Sequence, residues 1–224
     1  MERYGVPCFL AEKRDLLSRP PIALVALALE AVRTHYHYEE LFGCFKTGLT
    51  ALSWDEIDKL ENYALTWGLR GGAWERPWEA HPDGYGLPMD EAASARLAEL
   101  NALREKAIAP FAALRASLAG ENAAVDCVRA LYAFLCAVRA PERLAQRAEA
   151  HEEAGRPQLA DEYRQLWDIL VSAMEQFAWV CGEIPLTAER FSALFRLVLG
   201  EYEVGTIPVS LDRVTCGDID RACG

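Results

Sequence analysis

Large apolar side chains recur at helical spacing along one stretch of this chain, which has the strongest periodicity in the sequence. Its members are Tyr163, Leu166, Trp167, Leu170, Met174 and Phe177. Residues three and four apart share one face of an α-helix, so the stretch predicts an amphipathic helix with a broad apolar face. Because such a face is stable only when other elements cover it, the sequence predicts a helical bundle with this helix in its core. A cofactor-binding face is the alternative, and core packing explains the pattern better.

Further stretches repeat this periodicity, and proline or capping residues mark their starts. Pro20–Pro21 suits a first helical turn, where the amide that proline lacks would have no partner. The apolar positions that follow are Ile22, Val25, Leu29 and Val32. Asp90 can cap an alanine-rich helix that runs to Leu118, and we expect Pro110 to kink or break it. The last helix, capped by Thr187, has the predicted buried positions Phe191, Leu194, Phe195 and Val198.

The two ends of the chain have the composition of strands. Tyr4–Leu10 is a short apolar run with a proline inside it, as edge strands have. Ile207–Val214 carries strand-forming residues around a second proline. The predicted fold class is therefore mainly α: a helical bundle insertion with short β-strands near both termini. Such an insertion would return both of its ends to one sheet.

Glycine and aromatic residues concentrate in three segments that follow one another closely: Lys46–Leu49, Leu60–Tyr63 and Trp67–Trp74. Gly48 and Gly68 each suit the left-handed backbone that ends a helix. The segments therefore predict two helix ends and a tight corner.

The helix between these two glycines has its own start signal. Ser53 can cap it, and Glu56 can reach back to complete a capping box. Its predicted buried positions are Ile57, Leu60, Ala64 and Leu65. Arg70–Gly72 then predicts a sharp turn anchored by two large aromatic side chains, Trp74 and Trp78. Prolines and glycines predict a loop over Pro77–Pro88.

The three segments, in this order, resemble the helicase-like part of the B subunit of bacterial AddAB (RexAB) helicase-nucleases, which process double-strand DNA ends for recombination. The segments that carry the resemblance are KTGL at 46–49, LENY at 60–63, GLRGGAW at 68–74, YGVPCFL at 4–10 with EKR at 12–14, and IPVSLDRVTCG at 207–217 with DR at 220–221. The resemblance spans nearly the whole chain, and residues 77–139 share only its helical character.

The resemblance implies a domain organisation and partners. Residues 1–45 would begin the second RecA-like domain, residues 46–205 would form its helical insertion subdomain, and residues 206–224 would supply the return strand. The segment would be a non-catalytic structural and DNA-contacting module of an ATP-dependent helicase/exonuclease. It would work with the A subunit, which carries the active motor, and would reach DNA through the full complex. The phosphate loop, nuclease carboxylates and iron-sulfur cysteines of such a complex have no counterpart here.

Candidate contact residues follow from the motifs. Lys46 and Arg70 could meet phosphates, and Trp74 could stack on a base; the alternative is that Arg70 and Trp74 lock the glycine corner inside the fold. Arg19 lies where related motors place an arginine that reaches the nucleotide's terminal phosphate, and a solvated arginine before a helix is its alternative. Because the net charge is −11, any DNA contact must be a local patch.

Other chemistry is poorly supported by the sequence. His35 and His37 would share one face of an extended segment, but two imidazoles without a further ligand are weak evidence for a metal. The seven cysteines lack CxxC spacing, which predicts free thiols in a reducing cytoplasm. We expect no metal and no cofactor in this segment, and neither a membrane span nor a signal peptide. Since no catalytic constellation is present, the alternative function is an independent all-helical scaffold or adaptor without DNA binding.

Overall fold

The computed structural model describes residues 19–200 in full and the backbone of two short strands outside that range. Within these residues the chain is mainly helical, as predicted. The elements are β1 (Cys8–Leu10), α1 (Pro20–Arg33), α2 (Tyr38–Lys46), α3 (Trp54–Trp67), a 3₁₀-helix (Gly71–Glu75), α4 (Glu91–Ser117), β2 (Glu121–Ala123), α5 (Ala124–Ala137), α6 (Ala140–Glu153), α7 (Pro157–Cys181), β3 (Pro185–Thr187), α8 (Ala188–Gly200) and β4 (Val214–Cys216).

The strands near the two ends of the chain pair with each other. β1 and β4 run parallel, with Cys8 opposite Val214 and Leu10 opposite Cys216. This confirms that the two terminal segments meet in one sheet with the helices between them. Residues 4–7 and 207–213, which the predicted strands also included, lie outside the described residues.

A second strand pair was not predicted. β2 and β3 are antiparallel, with Glu121 opposite Thr187 and Ala123 opposite Pro185, inside the predicted helical insertion at residues 46–205, where no strand was expected. Each strand has three residues, too few for an alternating pattern to show in the sequence. The pair joins the start of α5 to the start of α8.

The core is continuous from α1 to α8. α1 is buried on almost every side and packs on α2, α4, α7 and α8, as expected for a helix without a strong polar face. Phe177 of α7 meets Phe191 and Phe195 of α8 with ring centroids 5.4 and 5.6 Å apart. The predicted central position of α7 is therefore confirmed.

Three details differ from expectation. Leu65 is 58% exposed, and Tyr63 is buried on α3 in its place. Leu194 is 40% exposed on α8, where Leu199 is buried instead. In both helices the buried arc is centred one position away from the predicted one. Pro110 does not break α4, which continues to Ser117; buried side chains on both sides of the proline hold the helix against its neighbours, and this packing outweighs the lost hydrogen bond.

Candidate functional site: the motif corner

The three sequence motifs come together in space. We call them, with Trp78, the motif corner: Lys46–Leu49, Leu60–Tyr63, Trp67–Trp74 and Trp78. Ser53 and Glu56 form the predicted capping box at the start of α3, and Gly68 ends that helix with φ +59°. The corner therefore has well-defined helix ends on both sides of α3.

Lys46 connects the first motif to the second. Its Nζ donates to Glu61 Oε1 at 2.6 Å, and the Tyr38 hydroxyl donates to the same oxygen. Burial raises the pKa of Glu61, but the hydrogen bonds from Lys46 and Tyr38 outweigh it, so the pKa lies below its ordinary value. The hydrogen bond to Glu61 raises the pKa of Lys46. Lys46 remains half exposed, but its charge is already partnered.

Gly48 lies where α6 approaches the first motif. Its φ of +66° favours glycine, and a Cβ at this position would lie 2.3 Å from Arg147 Nη2. Arg147 donates to the Thr47 carbonyl at 2.7 Å, and Arg143 donates to the Thr50 carbonyl at 3.3 Å. Two arginines of α6 thus hold the backbone of this motif.

Trp74 is an internal anchor of the corner. It is 1% exposed and packs on Phe42 and Trp78, with ring centroids 5.8 and 5.3 Å away. The nearly buried Arg104 of α4 donates to the Trp74 carbonyl at 2.8 Å. In this conformation the indole has no face available to a nucleobase. Stacking of Trp74 on DNA would require the corner to open, so the structure shows the anchoring role, which was the alternative interpretation of this residue.

Arg70 lies at the surface of the corner, in contrast to the buried Trp74. It directly precedes the 3₁₀-helix, which begins at Gly71 inside the predicted turn, and its side chain is exposed. Within residues 19–200 it makes no ion pair. Of the three predicted contact residues in the corner, Arg70 is thus the one that is exposed and has no ion pair within residues 19–200, while Lys46 is engaged with Glu61 and Trp74 is enclosed.

A polar junction ties the corner to the end of α1. Tyr36 and Arg115 both donate to Glu75 Oε1, at 2.8 and 3.0 Å. Burial and the hydrogen bond to Glu75 raise the pKa of the Tyr36 phenol far above its ordinary value. His35 and Tyr36 both have positive φ, 56° and 64°, a conformation that costs non-glycine residues free energy. The buried Tyr36 ring and this junction hold the turn in place.

Among the remaining predicted residues, His35 lies beside the turn of the corner, where a Cβ on Gly71 would be 3.8 Å from its Nδ1, whereas Arg19 and His37 form their ion pairs elsewhere. Arg19 is the residue before α1, and its guanidinium forms an ion pair with the nearly buried Glu162 of α7. Contact with a nucleotide would require that pair to break, and this role stays a prediction. His37 pairs with Glu40 at 3.0 Å, whereas His35 faces Glu75 at 3.9 Å. Among the described residues no group of three or more metal-ligating side chains occurs.

Sequence reasoning missed the residues that lock the corner from α4 and α6. These are Asn101, Arg104, Arg143 and Arg147. The Asn101 amide accepts from the Trp78 N–H at 2.7 Å and donates to the Trp78 carbonyl at 2.9 Å. All four lie in charged helical stretches, so no local signal distinguishes them from solvent-facing residues. None of the helices of the described region combines the length and hydropathy of a membrane span.

The sequence of the chain is similar to segments of known proteins. No family model matches the chain. It is similar to proteins named as the B subunit of an ATP-dependent helicase/deoxyribonuclease: 33% identical over 224 residues to that of Acetivibrio thermocellus, 34% over 221 residues to that of Clostridium botulinum, and 30% over 220 residues to that of Clostridioides difficile.

These similarities cover 97–98% of this chain but only 19% of each relative, so the chain spans less than a fifth of their length. The chain is thus a homologue of one segment of these B subunits, as the motifs predicted. The similarity extends well beyond the three motifs, which weighs against an unrelated scaffold that shares only local sequence.

Proposed function

We propose that this chain is a module of the helicase-like region of a helicase-nuclease B subunit, with structural and DNA-contacting roles in processing double-strand breaks for recombinational repair. The parent enzyme's ATP-dependent activity, its A-subunit partner and its cytoplasmic location are parts of the same proposal. Support comes from the homology over nearly the whole chain. We assign no catalytic step and no cofactor to this segment.

The parallel pairing of β1 with β4 is the observation that carries the architectural part. Parallel strands are stable almost only inside larger sheets covered on both faces, and each of these has three residues. We infer that they extend a RecA-like sheet supplied by the rest of the parent protein. Residues 1–45 and 206–224 would belong to that domain, and residues 46–205 would form its helical insertion.

Arg70 is the residue that we propose to contact DNA. It is exposed and lacks a carboxylate partner in the described region, so a phosphate would not compete with an existing ion pair. Lys46 contributes less to this proposal, because an incoming phosphate must displace Glu61 at 2.6 Å. Neither residue changes the acidic character of the whole chain, so binding should be weak and sensitive to salt.

Binding of a labelled single-stranded oligonucleotide at low salt, followed by fluorescence anisotropy, tests this proposal. We expect Arg70→Ala to weaken binding several-fold, Lys46→Ala to weaken it less, and both to reduce the dependence of affinity on salt. Arg156→Ala is the matched control, since Arg156 is an exposed arginine without an ion pair among residues 19–200, at the start of α7. Equal loss in the control, or absence of binding by the unaltered chain, would contradict a DNA-contacting role.

A further inference from the structure

An exposed aromatic side chain next to the motif corner is held in a fixed position. Tyr85 is 76% exposed, yet its ring lies 4.2 Å from that of Trp67, measured between centroids. Gly84 and Gly86 flank it with φ of +110° and +75°, and a Cβ on either would have nothing within 4 Å. These glycines serve the backbone conformation and not close packing. The loop is therefore shaped to present Tyr85 to solvent.

Hydrogen bonds and an ion pair hold the loop that carries Tyr85. Trp67 Nε1 donates to the His81 carbonyl at 3.1 Å, and the Tyr63 hydroxyl donates to the Ala80 carbonyl at 2.9 Å. Asp83, two residues before Tyr85, forms an ion pair with Arg96 of α4. We call the Trp67–Tyr85 pair the aromatic platform. Because its supports are already ordered, a ligand would pay little entropy to find the ring in place.

A groove of about 430 Å³ adjoins this platform. Tyr63 and Ala80, which line it, form one of the hydrogen bonds that hold the loop, and the Tyr63 ring lies 6.4 Å from that of Trp67. Arg76 lines the same groove, and its one side-chain hydrogen bond within residues 19–200 goes to the Gly72 carbonyl, at 3.4 Å. Within the described residues neither Arg76 nor Arg70 has a carboxylate partner. The Arg76 side chain therefore lies in the wall of the groove and against the turn that Arg70 opens.

This combination matches the chemistry of a nucleotide. An aromatic ring offers a face on which a base can stack, and a guanidinium offers donors for a phosphate. Leu87 in the loop and Met89 just after it are also exposed and would suit an apolar protein segment. Such a partner gives no role to two arginines that lack a carboxylate partner within residues 19–200. Glu79 lines the groove as well and opposes a phosphate. Its single negative charge is set against the two positive charges of Arg70 and Arg76.

We propose that Tyr85, backed by Trp67, stacks on a base of single-stranded DNA while Arg70 and Arg76 contact the neighbouring phosphates. The inference rests on the proposed DNA-contacting role and adds the base-stacking residue to it. In this proposal Tyr85 has the base-stacking role that the sequence suggested for Trp74, because Trp74 is buried.

Two labelled oligonucleotides of equal length distinguish the parts of this site: oligothymidylate, and a strand in which the central nucleotides are abasic. Both carry the same phosphates, but only the first offers bases. We expect Tyr85→Ala to lower affinity for oligothymidylate about tenfold and to leave the abasic strand unaffected. Arg70→Gln with Arg76→Gln should weaken both strands equally. Glu79→Gln should strengthen both.

Matched variants separate stacking from folding. Tyr85→Trp should retain or increase the preference for bases, because it keeps a ring at the same place. Tyr132→Ala is the control, since Tyr132 is also exposed and lies beside a tryptophan, Trp167, at 6.4 Å between centroids. It should leave both affinities unchanged.

The outcomes distinguish this inference from the proposal it rests on. If the unaltered chain binds both strands but Tyr85→Ala changes neither, or weakens both equally, stacking by Tyr85 is wrong and the DNA-contacting role stands. The exposed loop would then be assigned to a protein partner. If the unaltered chain binds neither strand, the DNA-contacting role fails, and the stacking inference fails with it.

Discussion

The motif corner and the α6–α7 hairpin are both largely helical, but different interactions hold them together. In the corner, individual side chains hold particular backbone groups, as Arg104 does for the Trp74 carbonyl and Arg147 for that of Thr47. In the hairpin, small and apolar residues such as Ala148 and Ala160 pack along the helices, and many neighbouring positions are exposed. The corner therefore depends on residue identity, and the hairpin on periodicity. Similar substitutions in the two regions should have unequal effects.

Truncating a tryptophan should give the largest difference. Trp74→Ala removes a side chain that is 1% exposed and leaves a cavity beside Phe42 and Trp78, so we expect a loss of about 3–5 kcal/mol in the free energy of unfolding. Trp179→Ala, in α7, removes a side chain that is 86% exposed and should change it by less than about 0.5 kcal/mol. Urea unfolding followed by circular dichroism measures both. Similar losses of unfolding free energy in the two variants would contradict the difference between the corner and the hairpin.

Adding one methyl group to a glycine tests the contact between α6 and the corner. Gly48 and Gly155 have similar φ, +66° and +69°, so alanine at either should cost about 1–2 kcal/mol through backbone strain. Only at Gly48 does the new Cβ meet Arg147 Nη2, which must then leave the Thr47 carbonyl. Gly48→Ala should therefore cost about 1 kcal/mol more.

The double variant with Arg147→Ala identifies the source of that excess. In that background the penalty of Gly48→Ala should fall to that of Gly155→Ala, as measured by denaturant unfolding. An excess over Gly155→Ala that persists without Arg147 would show that the contact with Arg147 is not its source.

Replacing the residue that precedes a helix should give a smaller difference in the free energy of unfolding between the two regions. Ser53 accepts from the Glu56 N–H at 3.2 Å, so Ser53→Ala should lower the free energy of unfolding by about 1 kcal/mol. Arg156, at the equivalent position of α7, makes no side-chain capping bond, and Arg156→Ala should have no measurable effect. Thermal unfolding of the two variants at one pH checks this. A larger effect at Arg156 would show that the hairpin also depends on residue identity.

The Lys46–Glu61 pair should give the smallest effect, and one that depends on pH. The pKa of Glu61 is lowered in the folded state, so the pair stabilises the fold above the ordinary glutamate value of 4.5 and loses this contribution as pH falls through the folded-state pKa. Because Lys46 is half exposed, we expect Lys46→Met to cost only about 0.5 kcal/mol at pH 7.

The same variant at acidic pH provides the check. Below the folded-state pKa of Glu61, Lys46→Met and the unaltered chain should have equal unfolding free energies in urea titrations. A difference that stays constant from pH 7 to acidic pH would mean that Lys46 stabilises the corner by packing and not by charge.

Local signals predicted the helices and their ends with few errors. Ser53 with Glu56 and Asp90 each cap the helix that they were predicted to begin, and Gly68 ends α3. The errors at Leu65 and Leu194 arose because periodicity locates a buried arc only to within about one position. Strands β2 and β3 escaped prediction because three residues carry too little pattern.

The candidate site was predictable only in part. The motifs pointed to the region around Arg70 and Trp74, whose contact with DNA stays a prediction, and residue type alone could not tell which of the two would be enclosed. Tyr85 lies in the loop predicted over Pro77–Pro88, and its exposed position depends on Gly84, Gly86 and the support from Trp67. The α4 and α6 residues that hold the corner lie 23 or more positions from the groups that they bind.

The sequence by itself determined the helical class, the caps and glycine ends of the helices, and the likeness to the B subunit of a helicase-nuclease, because each of these depends on neighbouring residues or on ordered motifs. Only the tertiary structure decided that Trp74 is an anchor, that Lys46 is paired with Glu61, and that Arg70 and Tyr85 face solvent. Exposure and pairing depend on which distant side chains arrive at the same place, and that follows from the packing of the helices.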